Sequence, residues 1–147
     1  MREIIFRGKR ANNGKWVYGG YHKWETRQPC PVGNDELKSD EIKHVIVINS
    51  FADWNMPRAM QACEVIPETV GQYTGLTDKN GTKIFEGDIV KIYDCLGRCE
   101  GIGKIQGNEL FLAWHTGKCN SMLENYIAIY EIIGNIHDNP ELLEVAE

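Results

Sequence analysis

Two short knuckles hold the residues best suited to chemistry: Cys95 and Cys99 bracket Leu96-Gly97-Arg98, and His115 and Cys119 bracket Thr116-Gly117-Lys118. Thiolates and imidazoles are zinc ligands, and two such pairs closing over glycine-containing turns would make a tetrahedral Cys3His centre. The three-residue gap is wide for a ligand knuckle. Either Cys99 or Cys119 beside His115 would instead serve as nucleophile and base, provided the thiolate sits in an accessible, positive pocket. Free cysteine is also an ordinary small buried residue. Spacing alone therefore assigns no metal, no cofactor and no catalytic residue, and the expectation is a protein that is not an enzyme.

A second pair of reactive types is Glu86 and Asp88, two carboxylates flanking Gly87. Acid–base catalysis needs two such groups facing one substrate in environments that separate their pKa values. Glycine and aspartate are also turn formers: Gly87 permits a redirected backbone, and an aspartate at a corner accepts hydrogen bonds from turn N–H groups. The corner is the stronger reading. The aromatic residues Trp16, Tyr18, Tyr21 and Trp24 form a third candidate, a face on which single-stranded bases or a protein would stack. Packing in a core competes, because aromatic rings on a strand bury large areas.

These residues must be positioned by strands. Glu3 to Lys9 reads as a strand, Asn12-Asn13-Gly14 as a turn, and Lys15 to Trp24 as the returning strand. Asn-Gly is the pattern of the type I′ hairpin turn, whose two central residues take positive φ. Gly19-Gly20 predicts a bulge or a sharp bend within that strand, since glycine weakens a strand but permits close backbone approach. Glu25 to Lys43, with two prolines, a glycine and many charges, reads as a long loop, and His44 to Asn49 as a β-branched strand. Ser50 to Cys63 is ambiguous between a broken helix and a loop holding Trp54 and Met56. Beyond it, Glu64 to Leu76 is extended, Asp78 to Gly81 is a second hairpin turn with Asn80-Gly81 at its tip, and Ile89 to Tyr93 follows the corner. Lys104 to Gln106 pairs with Glu109 to His115 across Gly107-Asn108, and Tyr126 to Ile136 is the last strand. Asn139 and Pro140 predict a capped helix over Glu141 to Val145.

The chain has 147 residues, of which 42% are hydrophobic, enough for one real core. Its apolar runs fall far short of the ~18–20 residues that cross a bilayer, so no membrane partner is expected. MREIIFRGKR lacks the apolar core of a secretory signal, which predicts a cytoplasmic protein. A net charge of -5 disfavours nucleic acid without excluding it, since Arg2, Arg7, Lys9, Arg10 and Lys15 gather near the front. Five cysteines, an odd number, do not make a secreted disulfide framework.

Four stretches carry a family likeness: IIFRGK, KWVYGG, VGQYTGLTDKNGTKIFEGDIV and IGNIHDNPELL. On these the chain resembles the YopX family of bacteriophage and prophage proteins. Together they cover roughly half of the chain and both its ends, while Trp24 to Gln61 matches nothing that carries over. The resemblance implies a mostly β fold with an SH3-like portion, a bacterial cytoplasmic setting and no assigned activity. The expectation is therefore a β-rich α+β domain over residues 1–147: a small, partly open, hairpin-built barrel with a short C-terminal helix. Residues 1–62 hold the first hairpin, the long loop and a strand, and residues 63–147 the SH3-like portion and the helix. Function is expected through an unknown protein partner or homo-oligomerisation, with nucleic-acid binding as the alternative. A zinc site or a Cys/His enzyme ranks below both.

Overall fold

The computed structural model describes residues 3–49, 59–93, 96–107, 109–115 and 129–144. Within these, the protein is built from antiparallel strands, with no α-helix and no closed barrel. The chain forms two compact units, Ile4–Val70 and Gly71–Glu147, the second taking in Met1–Glu3. The strand at 60–64 and the turn behind it are bonded to the Ile4–Val70 unit.

In the Ile4–Val70 unit, β1 (Phe6–Lys9), β2 (Trp16–Glu25), β3 (Ile42–Asn49) and β4 (Met60–Glu64) each pair with the next. The long strand β2 changes partner midway. Trp16 to Gly19 pair with β1, and Gly20 to Glu25 pair with β3. The ladder passes the Gly19-Gly20 pair without a bulge, and the glycines serve a different need. A Cβ on Gly19 would lie 2.1 Å from the carbonyl oxygen of Val47, whereas one on Gly20 would meet nothing within 4 Å. Only the first glycine is required by the approach of β3. The end of β4 then returns to the end of β1: Arg10 and Val65 form an isolated bridge, Ala11 N donates to Glu64 O, and Ile66 N donates to Lys9 O. Val17, Ile46, Cys63 and Val65 make the core of this unit, with Phe6, Ile48 and Val70 packed against them.

The first turn is longer than a two-residue type I′ turn. Arg10 N donates to Lys15 O, leaving residues 11–14 in the loop, and Gly14 takes the left-handed conformation at φ 66°. The loop between β2 and β3 is tied down by one side chain. Arg27 forks onto Asp35 (2.8 and 3.0 Å) and onto Glu41 (2.6 and 3.1 Å), while Asp35 accepts from Cys30 N and Glu41 from Lys38 N. A single 3-10 helical turn, Ser39–Glu41, ends the loop.

The Gly71–Glu147 unit begins with the hairpin of β5 (Gly71–Thr77) and β6 (Lys83–Phe85). Four more strands make a sheet in the order β10-β7-β8-β9, with β7 at Asp88–Tyr93, β8 at Cys99–Gln106, β9 at Glu109–His115 and β10 at Ile129–Asn135. Central β7 is buried along most of its length because strands flank it on both sides. Ile84, Val90, Ile92, Ile105 and Tyr130 form the core, each fully buried aliphatic side chain contributing roughly 1.5–3 kcal/mol.

The C-terminal segment departs from the expected capped helix. Pro140–Leu143 is one 3-10 turn, and Asn139 makes no side-chain cap. Asn135 caps instead: its Oδ1 accepts from His137 N and Asp138 N, both at 2.9 Å. Gly134 makes room for the turn, since a Cβ there would lie 2.7 Å from Asn139 Oδ1 and 2.9 Å from Leu142 Cδ1. Residues 145–147, Ser50 to Arg58 with Trp54 and Met56, Tyr126 to Ala128, Arg2 and Asn108 lie outside the described residues.

Candidate functional site

The Glu86-Gly87-Asp88 segment turns the chain from β6 into β7. Gly87 sits at φ 83°, a conformation that L side chains rarely adopt, and its N–H donates to Ile105 O while its carbonyl accepts from Ile136 N. Asp88 is 1% exposed and accepts from Phe85 N at 2.8 Å. Glu86 accepts from Gln72 N at 3.0 Å. Each carboxylate thus holds backbone of its own neighbourhood.

Asn80 and Gly81 belong to a three-residue loop in which Gly81 N donates to Asp78 O and Asp78 N to Thr82 O. The loop ends on a left-handed glycine, Gly81 at φ 83°. The organising side chain is Asp78. Its Oδ1 accepts from Asn80 N at 2.8 Å and Thr82 N at 2.9 Å. Burial pushes the Asp78 carboxyl pKa up, but backbone donors from Thr82, Asn80 and Ile132 outweigh it and leave the pKa below the ordinary aspartate value. Next to this loop, Tyr93 donates to Glu131 at 2.6 Å and Lys79 Nζ lies 2.9 Å from the same oxygen. The Tyr93 hydroxyl, ahead of Lys79, holds the Glu131 carboxyl below its usual range, and Glu131 in turn raises the tyrosine.

Of the sulfur and imidazole cluster, Cys95 and Cys119 lie outside the described residues. Cys99 is exposed and opposite Tyr93 in the register, and His115 stands opposite Gly101 on β9. Among the described residues no group of three or more His, Cys, Asp and Glu is arranged to hold a metal ion.

The four aromatics of β2 do not share one face. Tyr21 is stacked with His44 and tilted against Phe6, its hydroxyl bonded to His44 Nδ1. Trp16 is occupied by cations, with the Arg7 guanidinium 4.8 Å and Lys9 Nζ 5.4 Å from its ring. Tyr18 and Trp24 are 52% and 53% exposed. Six residues of strand separate them by about 20 Å, several bases apart along a single strand.

A feature with no sequence signal belongs to the same unit. Arg10, Ala11 and Asn12 of the first turn and Gln61 to Glu64 of β4 line a cavity of about 230 Å³. Its walls are brought together by the Arg10–Val65 bridge, 55 positions apart in the chain, which is why no local pattern foretells it. β4 is the last strand of its sheet, and Met60 at its start is 78% exposed.

The two units differ in charge. Residues 4–70 carry nine Lys/Arg against eight Asp/Glu, and the remainder seven against thirteen. No helix of the described residues is long and apolar enough to cross a membrane. A family model described as YopX protein matches residues 5–144. No curated protein and no solved structure matches the chain.

Proposed function

Because the chain belongs to the YopX family, we propose that it is a phage or prophage accessory protein that works by binding other proteins, a second copy of itself included, in the cytoplasm of a bacterial host. The observation that carries this reading is the end strand β4, which has a cavity along it and the exposed Met60 at its start. A strand at the end of a sheet offers main-chain donors and acceptors to another chain. Asp78, Asp88 and Asn135 accept from backbone N–H groups of their own turns, which favours a structural role for these polar groups over a catalytic one. The succession β5 to β10, a hairpin followed by a four-stranded sheet, supports reading residues 71–144 as SH3-like and partly open. Size-exclusion chromatography with light scattering, together with a pull-down from host lysate read by mass spectrometry, tests the proposal. A dimer or a reproducibly retained host protein is expected; a strict monomer that retains nothing refutes it.

Nucleic-acid binding is the second reading, favoured by Arg7, Lys9, Arg10 and Lys15 on and beside β1. The occupied ring of Trp16 and the wide spacing of Tyr18 and Trp24 give it less support. Salt-sensitive retardation of DNA or RNA is its signature.

A further inference from the structure

Arg10, which lines the cavity beside β4, has no counter-charge among the described residues. Arg10 Nε is buried with no hydrogen-bond partner, and the Arg10 side chain makes no ion pair among the described residues. Other arginines of the unit are engaged: Arg27 holds two carboxylates, and Arg7 lies over Trp16. Glu64, the carboxylate lining the same cavity, is engaged by Lys43 Nζ at 3.1 Å. A desolvated guanidinium N–H lacking an acceptor is costly, and a carboxylate is the acceptor whose geometry matches its fork.

Size and placement narrow the ligand. About 230 Å³ is below the ~300–1,000 Å³ of sites for drug-sized molecules, so the space suits one side chain better than a nucleotide. The cavity runs beside Gln61, Ala62 and Cys63 of the end strand, and Asn12 and Gln61 supply amide groups at its walls. The charge of residues 4–70, nine cations against eight anions, does not repel an acidic chain as the rest of the protein would.

We infer that this cavity is the docking site for an extended acidic segment of a partner protein, which adds along the outer edge of β4 and places one Asp or Glu carboxylate against Arg10. The inference rests on the protein-binding reading and names its recognition chemistry. The test uses the full chain and two blocked pentapeptides, one alternating valine with glutamate and the other alternating valine with glutamine, followed by amide NMR at low salt. The glutamate peptide is expected to shift the amides of Arg10 to Asn12 and Gln61 to Glu64, and to bind at least about tenfold more tightly than the glutamine peptide. R10M is expected to abolish that preference while keeping the wild-type dispersion of signals. Equal binding of both peptides, or shifts confined to other residues, overturns the inference without any variant having to fold. Concentration-dependent shifts of the same amides without peptide would assign the cavity to a second copy and overturn it equally. Failure of the peptides leaves the light-scattering and pull-down results standing, so the two proposals fail separately.

Discussion

Substituting alanine at Gly19 and at Gly20, neighbours in one strand, is expected to give opposite results. At Gly19 the added Cβ would lie 2.1 Å from Val47 O, and real Cβ atoms essentially never approach an atom within 3.0 Å. Relief requires β2 and β3 to separate locally by roughly 1 Å, which stretches a ladder hydrogen bond of ~2.9 Å beyond the range in which it counts as one. The obstructing atom belongs to the backbone of a paired strand, so no rotamer change removes the clash. Overpacking of this kind costs about 1–3 kcal/mol, and an unmade buried backbone bond a similar amount, placing G19A near 3 kcal/mol of destabilisation. For a domain of 60–100 residues, at about 4–8 °C per kcal/mol, the midpoint falls by roughly 12–24 °C. At Gly20 nothing lies within 4 Å, and alanine there is expected to be neutral or to stabilise by up to ~1 kcal/mol through the unfolded chain. Urea and thermal unfolding of both variants, followed by circular dichroism and tryptophan fluorescence, decide the matter. If G19A unfolds within about 0.5 kcal/mol of wild type, or G20A is as damaged as G19A, the close approach of β2 and β3 is not what fixes glycine at position 19.

Two further predictions concern carboxylates. Asp78→Ala removes the acceptor for the turn amides of Asn80 and Thr82 and is expected to cost about 2–3 kcal/mol in denaturant unfolding. Because the folded pKa of Asp78 is depressed, its stabilisation is present above the ordinary aspartate value and is lost as pH falls through the folded value; D78N should therefore show a shallower loss of stability on acidification than wild type. In the β2–β3 loop, the Arg27 hydrogen bonds, ahead of the Cys30 amide, lower the Asp35 pKa to about 2. The Cys30 amide resonance is expected to titrate near that value in wild type and at a higher pH, toward the ordinary 3.8, in R27Q, where the Cys30 amide still lowers it, and identical titrations in both would refute the fork. Limited proteolysis within residues 28–40 should be faster in R27Q.

The strands were legible because their signals are local. Alternating β-branched residues, glycine punctuation and the corner at Gly87 depend on neighbours in sequence. Turn geometry was less so: Asn13-Gly14 and Asn80-Gly81 announce reversals, but loop length depends on where pairing resumes, at Lys15 and Thr82. At the C-terminus, Asn139-Pro140 has the pattern of a helix cap, yet Asn135 of β10 caps the turn and Gly134 makes room for Asn139 and Leu142. Nothing in the alternation along β2 reveals that Arg7 and Lys9 occupy the indole of Trp16. The Arg27 fork and the cavity beside β4 join residues distant in the chain and had no sequence signal at all.

The Arg10–Val65 bridge sets an order of assembly for the first unit. Closing a loop of about 55 residues by one contact alone would cost roughly 3.5 kcal/mol of chain entropy, more than a single bridge returns. Pairing of β1 with β2, β2 with β3 and β3 with β4 shortens that span stepwise, so the junction is made last. On a ribosome the unit is thus incomplete until Val65 has emerged, and until then the backbone of β1 that Ile66 will bond stays uncovered.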